Sequence, residues 1–234
     1  MSGHEAVVMI TGAAGNLGRA VASAFKEHGA RLILVGSSLS HLRTTFSNAP
    51  AGWQLVEADL TDRETAAQRL RDAIATAGRL DALCTLAGGF RMGEAVHETS
   101  AETWNQMMDV NVKTLLTAVQ AAVPAMLAQG RGRIVTVGAA SARQGLAAMG
   151  AYTAAKSAVM RLTEAMAAEL GPKGINVNAV LPGVIDTPQN RAAMPDADPA
   201  AWVKPADLAA VIRFLASDAA AAVNGALIPV TGRG

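Results

Sequence analysis

Short β-type runs, the first of them continuously apolar, alternate with longer helical patterns along the whole of this sequence, and that alternation constrains the fold more than any other feature. Strands are expected at Ala6–Thr11, Arg31–Val35, Trp53–Glu57, Leu80–Leu86, Arg133–Val137, Ile175–Leu181 and Ala226–Val230. Between them, Leu17–His28 reads as a helix closed by Gly29. Asp62–Ala77 reads as a charged helix with a solvated face, and Ser100–Gln129 as one or two helices. Tyr152–Leu170 is a helix stopped by Gly171-Pro172, and Ala206–Ala216 is a last one. A strand that is apolar throughout has no side to show to water, so both its faces must be covered. Helical crossovers provide that cover and leave the strands parallel. The expectation is an α/β protein: a single doubly wound domain over residues 1–234, about seven parallel strands with helices on both faces.

The composition agrees with this and excludes other classes. The 234 residues suit one domain, and 51% apolar against 17% charged residues rules out a disordered chain. Twenty basic and nineteen acidic side chains leave a net charge of +1, so there is no electrostatic footprint for nucleic acid or an acidic membrane. The single cysteine, Cys84, excludes an intramolecular disulfide framework and any cysteine-based zinc site; it sits in an apolar run and is expected to be an inert core residue. The histidines at 4, 28, 41 and 97 have no metal-ligand spacing, so no metal is expected. Met1–Glu5 is polar, without the basic start and apolar core of a secretory signal. The charge-free stretch from Thr114 to Gly130 falls short of the ~20 mainly apolar residues that cross a bilayer. A cytoplasmic location is the expectation. Thr187–Pro205 holds four prolines between a strand and a helix and reads as a shaped loop over a site.

The first apolar run ends in Thr11-Gly12-Ala13-Ala14-Gly15-Asn16-Leu17-Gly18, after a strand and at the opening of a helix. Glycines there let the backbone turn tightly and approach a pyrophosphate, and the helix N-terminus offers free N–H groups and the positive end of its dipole. A dinucleotide cofactor is expected. Its ribose should be read at the end of the second strand, Val35-Gly36-Ser37-Ser38, where an acid would favour NAD(H). No acid is present. Ser37, Ser38, His41 and Arg43 could instead surround a 2′-phosphate, which favours NADP(H), with NAD(H) as the alternative.

Tyr152 is the only tyrosine, and Lys156 follows it by four residues in an expected helix. Residues so spaced share a helix face. A free phenol has a pKa of ~10, and a nearby positive charge lowers it. A phenol tuned toward neutrality can give or take a proton during hydride transfer. A half-buried tyrosine beside an unrelated surface lysine is the plainer alternative.

Taken together, the glycine turn, Asp59-Leu60, Ala87-Gly88, Asn111, Tyr152 with Lys156, and Pro182-Gly183 followed by Thr187 make the chain resemble the short-chain dehydrogenase/reductase family over its full length. The resemblance implies a Rossmann-like seven-stranded fold that binds NAD(H) or NADP(H). It implies Tyr152 as acid/base, Lys156 holding the nicotinamide ribose and depressing the tyrosine pKa, and Asn111 positioning a water. Gly12, Gly15, Asn16, Leu17 and Gly18 would meet the pyrophosphate and Ser37 the ribose. Asp59 and Leu60 would line the adenine site, Ala87 and Gly88 would support the cofactor, and Pro182, Gly183 and Thr187 would meet the nicotinamide end. It also implies a homodimer or homotetramer built on long helices. Leu115–Leu127, apolar around much of its circumference, suits such an interface or burial within the monomer.

Two positions depart from the family. Leu86 stands where Asn-Ala-Gly usually begins, and Ala139, thirteen residues before Tyr152, occupies the position of the usual catalytic serine. Ser141 either substitutes for it or supports a turn. The serine-less pattern, Ala87-Gly88-Gly89-Phe90 and the stretch Asp186–Trp202 resemble the quinonoid dihydropteridine reductases, although an acid usual there after the second strand is missing. Phe90, Arg91, Met92, Met149, Met194 and Trp202 are candidate substrate-wall residues, with loop packing as the alternative. The function expected is an oxidoreductase passing hydride between a nicotinamide and a carbonyl or quinonoid C=N substrate. Dihydropteridine reductase activity and a low-turnover dinucleotide sensor are the alternatives.

Overall fold

The computed structural model describes residues 5–233; of the polar N-terminal stretch Met1–Glu5, only Glu5 lies within them. Seven strands form one all-parallel sheet: β1 (Val7–Thr11), β2 (Arg31–Gly36), β3 (Gln54–Glu57), β4 (Ala82–Thr85), β5 (Gly132–Val137), β6 (Ile175–Pro182) and β7 (Leu227–Val230), in spatial order β3-β2-β1-β4-β5-β6-β7. Every residue of β1 and β4 is buried, as continuous apolar runs require. The helices are α1 (Asn16–Lys26), α2 (Leu39–Thr45), α3 (Arg63–Ala77), α4 (Ala101–Met108), α5 (Thr114–Gln129), α6 (Gly150–Leu170), α7 (Pro188–Ala193) and α8 (Pro205–Leu215).

Two cores lie on opposite faces of the sheet. One joins Val21, Ala22 and Phe25 of α1 to Leu208, Ile212 and Leu215 of α8 over Val8, Ile10, Leu32 and Leu34. The other joins Leu70 and Ile74 of α3, Ala118 and Met126 of α5 and Val159 of α6 over Met9, Ile33 and Leu83. Alternate strand residues supply the two faces, because side chains in a strand point to opposite sides. The strand order reverses between β1 and β4, which opens a crevice beyond their carboxyl ends.

Several boundaries differ from the sequence expectation for identifiable reasons. β4 starts at Ala82, with Asp81 at its edge: the Asp81 main chain donates to Val7 O at 2.9 Å and accepts from Arg133 N at 3.0 Å, while its carboxylate accepts from Val7 N at 2.9 Å and pairs with Arg79 and Arg131 at 2.6 Å. Trp53 lies outside β3, its indole N–H donating to Ala30 O at 3.2 Å. α2 and α7 are short polar helices with no apolar periodicity to announce them. Each is set by a hydroxyl cap: Ser38 accepts from His41 N, and Thr187 from Asn190 N. The Ser100–Gln129 pattern is helical throughout, with one wide turn, Asp109–Lys113, joining α4 to α5. The 29-residue stretch Ala101–Gln129 is long and apolar enough to cross a membrane by length and composition, but half of its most apolar window is buried inside the fold. α5 puts Leu115, Ala118, Ala122 and Met126 into the core and leaves Leu127 exposed.

Candidate active site

The glycine turn lies at the head of the crevice. Gly12 turns with φ +64°, and a Cβ there would come within 2.9 Å of Ala87 N. The ends of β1 and β4 are tied together: Thr11 Oγ1 accepts from Leu86 N at 3.1 Å and Ala87 N at 3.2 Å. Gly15 N donates to Gly12 O at 3.1 Å and closes the turn. A Cβ on Gly18 would fall on the turn's own carbonyls, Ala13 O and Gly12 O. The N-cap of α1 is Gly15, which has no side chain to satisfy the first amides of the helix. The N–H groups of Asn16, Leu17 and Gly18 therefore face outward without intrahelical partners. A cradle with no room for side chains, ending in free amides at a dipole's positive end, fits a pyrophosphate.

At the other side of the crevice four elements converge. The wide turn Asp109–Lys113 carries Asn111, which is 2% exposed. Its amide donates to Gly89 O at 3.1 Å and Met107 O at 3.0 Å, and its Oδ1 accepts from Gly89 N at 3.2 Å. Both amide protons are thus committed, leaving the second lone pair of Oδ1 or the main-chain carbonyl for a water. A Cβ on Gly88 would meet Asn111 Oδ1 at 2.7 Å and Lys156 Nζ at 3.2 Å, so Gly88, Asn111 and Lys156 form one cluster. Lys156 is buried and donates to Val137 O, at the end of β5, at 2.9 Å.

Tyr152 stands in the first turn of α6. It packs edge-on against Phe90, centroids 4.8 Å apart and planes at 82°. Apolar residues also pack on it: Ala139, Ala142, Met160 and Leu181 in one cluster, Met107, Ala151 and Ala155 in another. This environment corrects one expectation. Burial pushes the phenol up to about 12, and no lowering by Lys156 is felt. Burial also pushes the Lys156 ammonium down to about 8. Both shifts have one cause, the cost of holding a charge away from water, which outweighs the attraction expected from helix spacing. Because Tyr152 is the only tyrosine, absorbance titration of the free protein should show no phenolate near pH 10 and a midpoint well above it. A midpoint at or below 10 would contradict the burial described.

The remaining candidates divide. Ala139 is buried against Tyr152, so the usual serine position is apolar. Ser141 lies half-buried in the short turn Ala140–Arg143. Arg91, Met92 and Met149 line one small cleft, but the Arg91 guanidinium is engaged by Gln106 at 3.0 Å and Glu102 at 3.8 Å. Met194 and Trp202 belong to the 187–205 segment, where Trp202 main-chain atoms back onto the turn at Gly232. Thr187 caps α7, and Gly183 N donates to Val230 O at 3.1 Å beside Pro182. Asp59 is exposed and accepts twice from Thr61, which holds its carboxyl below the usual range. The Leu60 side chain is core, so only its main chain can face a ligand.

Three participants were not anticipated from sequence. Val137 acts through its carbonyl, which no sequence signal marks. Gln189 accepts from Asn16 Nδ2 at 2.7 Å, tying α7 to the glycine turn. Glu57 brings a carboxylate to the start of α2, donated to by Leu39 N at 2.9 Å. A register argument pairing the ends of β2 and β3 could have found it.

A seven-stranded parallel sheet with a glycine cradle at its reversal point, facing a half-buried tyrosine and a buried lysine, defines a dinucleotide-dependent oxidoreductase. Residues 6–198 match the family model described as short chain dehydrogenase. The chain is 33% identical to cis-4-hydroxycyclohexanecarboxylate dehydrogenase of Sinomonas cyclohexanicum, over 97% of this chain and 96% of that protein. It is 32% identical to 2-(S)-hydroxypropyl-CoM dehydrogenase 3 of Xanthobacter autotrophicus, over 97% and 95%. Among solved structures, a short-chain type dehydrogenase/reductase from Mycobacterium ulcerans superposes with a TM-score of 0.92 at 27% identity, covering 100% of this chain and 90% of that one. Carveol dehydrogenase from Mycobacterium avium in complex with NAD superposes with 0.88 at 29%, covering 97% of each. The chain belongs to the short-chain dehydrogenase/reductase family and is an NAD(P)-dependent oxidoreductase acting on small substrates.

Proposed function

We propose that this enzyme interconverts a small secondary alcohol and its ketone, with Tyr152 as the proton donor in reduction and acceptor in oxidation. The observation that supports the reading is that Tyr152 shares a face of α6 with Lys156, whose ammonium clusters with Gly88 and Asn111. Relatives named for a hydroxycyclohexanecarboxylate, a hydroxypropyl-CoM and carveol support a hydroxy/keto pair. When bound, the nicotinamide supplies or accepts the hydride. The Gly12, Gly15, Asn16, Leu17 and Gly18 turn would hold the pyrophosphate. Ser37 would meet the ribose, and Asp59 with the Leu60 main chain would border the adenine. Ala87, Gly88, Pro182, Gly183 and Thr187 would border the nicotinamide end.

A phenol near 12 is a protonated donor across the physiological range, which suits reduction. Oxidation needs the phenolate, so it requires positive charge close to the phenol. The Lys156 ammonium, one turn away on α6 and charged below about pH 8, is outweighed by burial in the free protein, and a bound oxidised nicotinamide would add the positive charge needed. Phe90, Arg91, Met149, Met194 and Trp202 would shape the substrate side, with 187–205 as a loop over it. The chain would act as one catalytic domain over 1–234, assembled into a dimer or tetramer in the cytoplasm.

Ala139 favours a second reading, reduction of a quinonoid C=N, because such a bond does not require the missing serine donor. The two readings separate on a substrate panel with Ala139→Ser and Ser141→Ala. Under the first, the new hydroxyl raises ketone turnover, since one such donor is worth about 10²–10³ in rate, and Ser141→Ala lowers it if Ser141 now serves. Turnover of quinonoid dihydropterin alone, indifferent to both changes, would favour the second. Dinucleotide binding with no turnover of any substrate would leave the sensor reading.

A further inference from the structure

The turn after β2 is where a dinucleotide's adenosine ribose is read, and this chain has no acid in it. The fold brings one in from the neighbouring strand. Glu57, the last residue of β3, pairs in register with Gly36, the last residue of β2. Neighbouring parallel strands lie about 4.8 Å apart, so the two strand ends are adjacent. The Glu57 carboxylate reaches over the turn, and its Oε1 accepts from Leu39 N, the first residue of α2, at 2.9 Å. Ser38 Oγ takes a second amide of the same helix end, His41 N, at 3.2 Å. Two of the amides that a 2′-phosphate would seek are therefore occupied, one of them by a full negative charge. Arg69 stands 3.9 Å from Glu57 Oε2, and its guanidinium is held by the Glu57 main-chain carbonyl at 2.7 Å. His41 and Arg43, the cations expected to receive a phosphate, lie further along α2 and are exposed.

We infer that Glu57 makes this enzyme select NAD(H) over NADP(H), reading the ribose from β3 instead of β2. A 2′-phosphate on this turn must either displace the carboxylate from Leu39 N or stand beside it against like-charge repulsion, which in this exposed turn is screened by salt. A 2′-hydroxyl can instead donate to the free lone pairs of the same carboxylate. This rests on the dinucleotide occupying the β1–β2 side of the crevice. It reverses the sequence expectation, because no acid follows β2 in the chain while one lies beside it in space.

Fluorescence titration of the full chain with NADH and NADPH tests it, in wild type and in Glu57→Gln. The amide keeps an acceptor for Leu39 N and removes the charge. Wild type should bind NADH more tightly, and Glu57→Gln should shift the NADPH/NADH affinity ratio toward NADPH by about tenfold, mainly through NADPH. In wild type the discrimination should also shrink as salt screens the repulsion, a measurement that needs no variant. Tighter NADPH in wild type, or a ratio unmoved by both the substitution and salt, overturns the inference. Binding of neither dinucleotide would overturn the cofactor site itself, a different failure.

Discussion

Tyr152→Phe is expected to lower turnover about 10²–10⁴-fold, the usual worth of a positioned acid/base, while reduced dinucleotide binds nearly as before. The ring of Tyr152 is held by packing: Phe90 edge-on, Ala139 and Met160 in one cluster, Ala155 in another. Phenylalanine keeps all of those contacts, so the fold should hold. What it loses is the phenolic proton assigned to the developing alkoxide. Lys156 cannot replace it directly, because its ammonium is buried and donates to Val137 O. Steady-state rates with the best substrate of the panel, paired with a dinucleotide titration, check the outcome. Equal turnover by wild type and variant would reject the acid/base assignment. The pH dependence gives a second check. Lys156 is positively charged below about pH 8 and neutral above it. Any activity that relies on its charge should fall as the pH rises through that value, while the Tyr152 proton stays in place until much higher pH.

Gly18→Ala is expected to have the largest effect on dinucleotide binding. A Cβ at Gly18 would fall on Ala13 O and Gly12 O, which belong to the backbone of the turn itself. Side chains can rotate away from a clash; a closed turn cannot. The turn must open, which moves the amides of Asn16, Leu17 and Gly18 out of their common focus. A loss of affinity of about 100-fold for either dinucleotide is expected, with a stability cost of about 1–3 kcal/mol, as for other overpacked positions. Gly29→Ala is the control. It has a positive φ of 71° but no atom within 4 Å of its added Cβ. It should lose a little stability to backbone strain and leave affinity unchanged. Melting curves and titrations on the two variants separate crowding of the cradle from a general glycine effect.

Much of the fold was legible because its signals are local. Val7–Ile10 and Ala82–Cys84 are apolar throughout, as a strand covered on both faces requires. The short helices α2 and α7 were not legible. Seven or six residues are too few for periodicity, and their starts depend on a single hydroxyl each. The Asp109–Lys113 turn was also invisible, since its residues carry ordinary helical patterning; the wide turn shows only in the backbone hydrogen bonds. Arg91 was a candidate for the substrate wall, and its partners Gln106 and Glu102 were not legible because they lie on α4, beyond a loop.

By itself, the sequence determined the order of strands and helices, the glycine cradle at the end of β1, and the four-residue spacing of Tyr152 and Lys156 on α6. These follow from periodicity, from the absence of a side chain on glycine and from helical pitch, all properties of short segments. The tertiary structure alone decided the charge balance of the site. Burial among residues from α4, α6, β6 and the segment after β5 raised the Tyr152 phenol that helix spacing was expected to lower. The parallel register of β2 and β3 carried Glu57 to a turn from which it is twenty residues distant in the chain. Desolvation and strand register both depend on what is packed alongside a residue, and neighbours in space are not written next to one another in sequence.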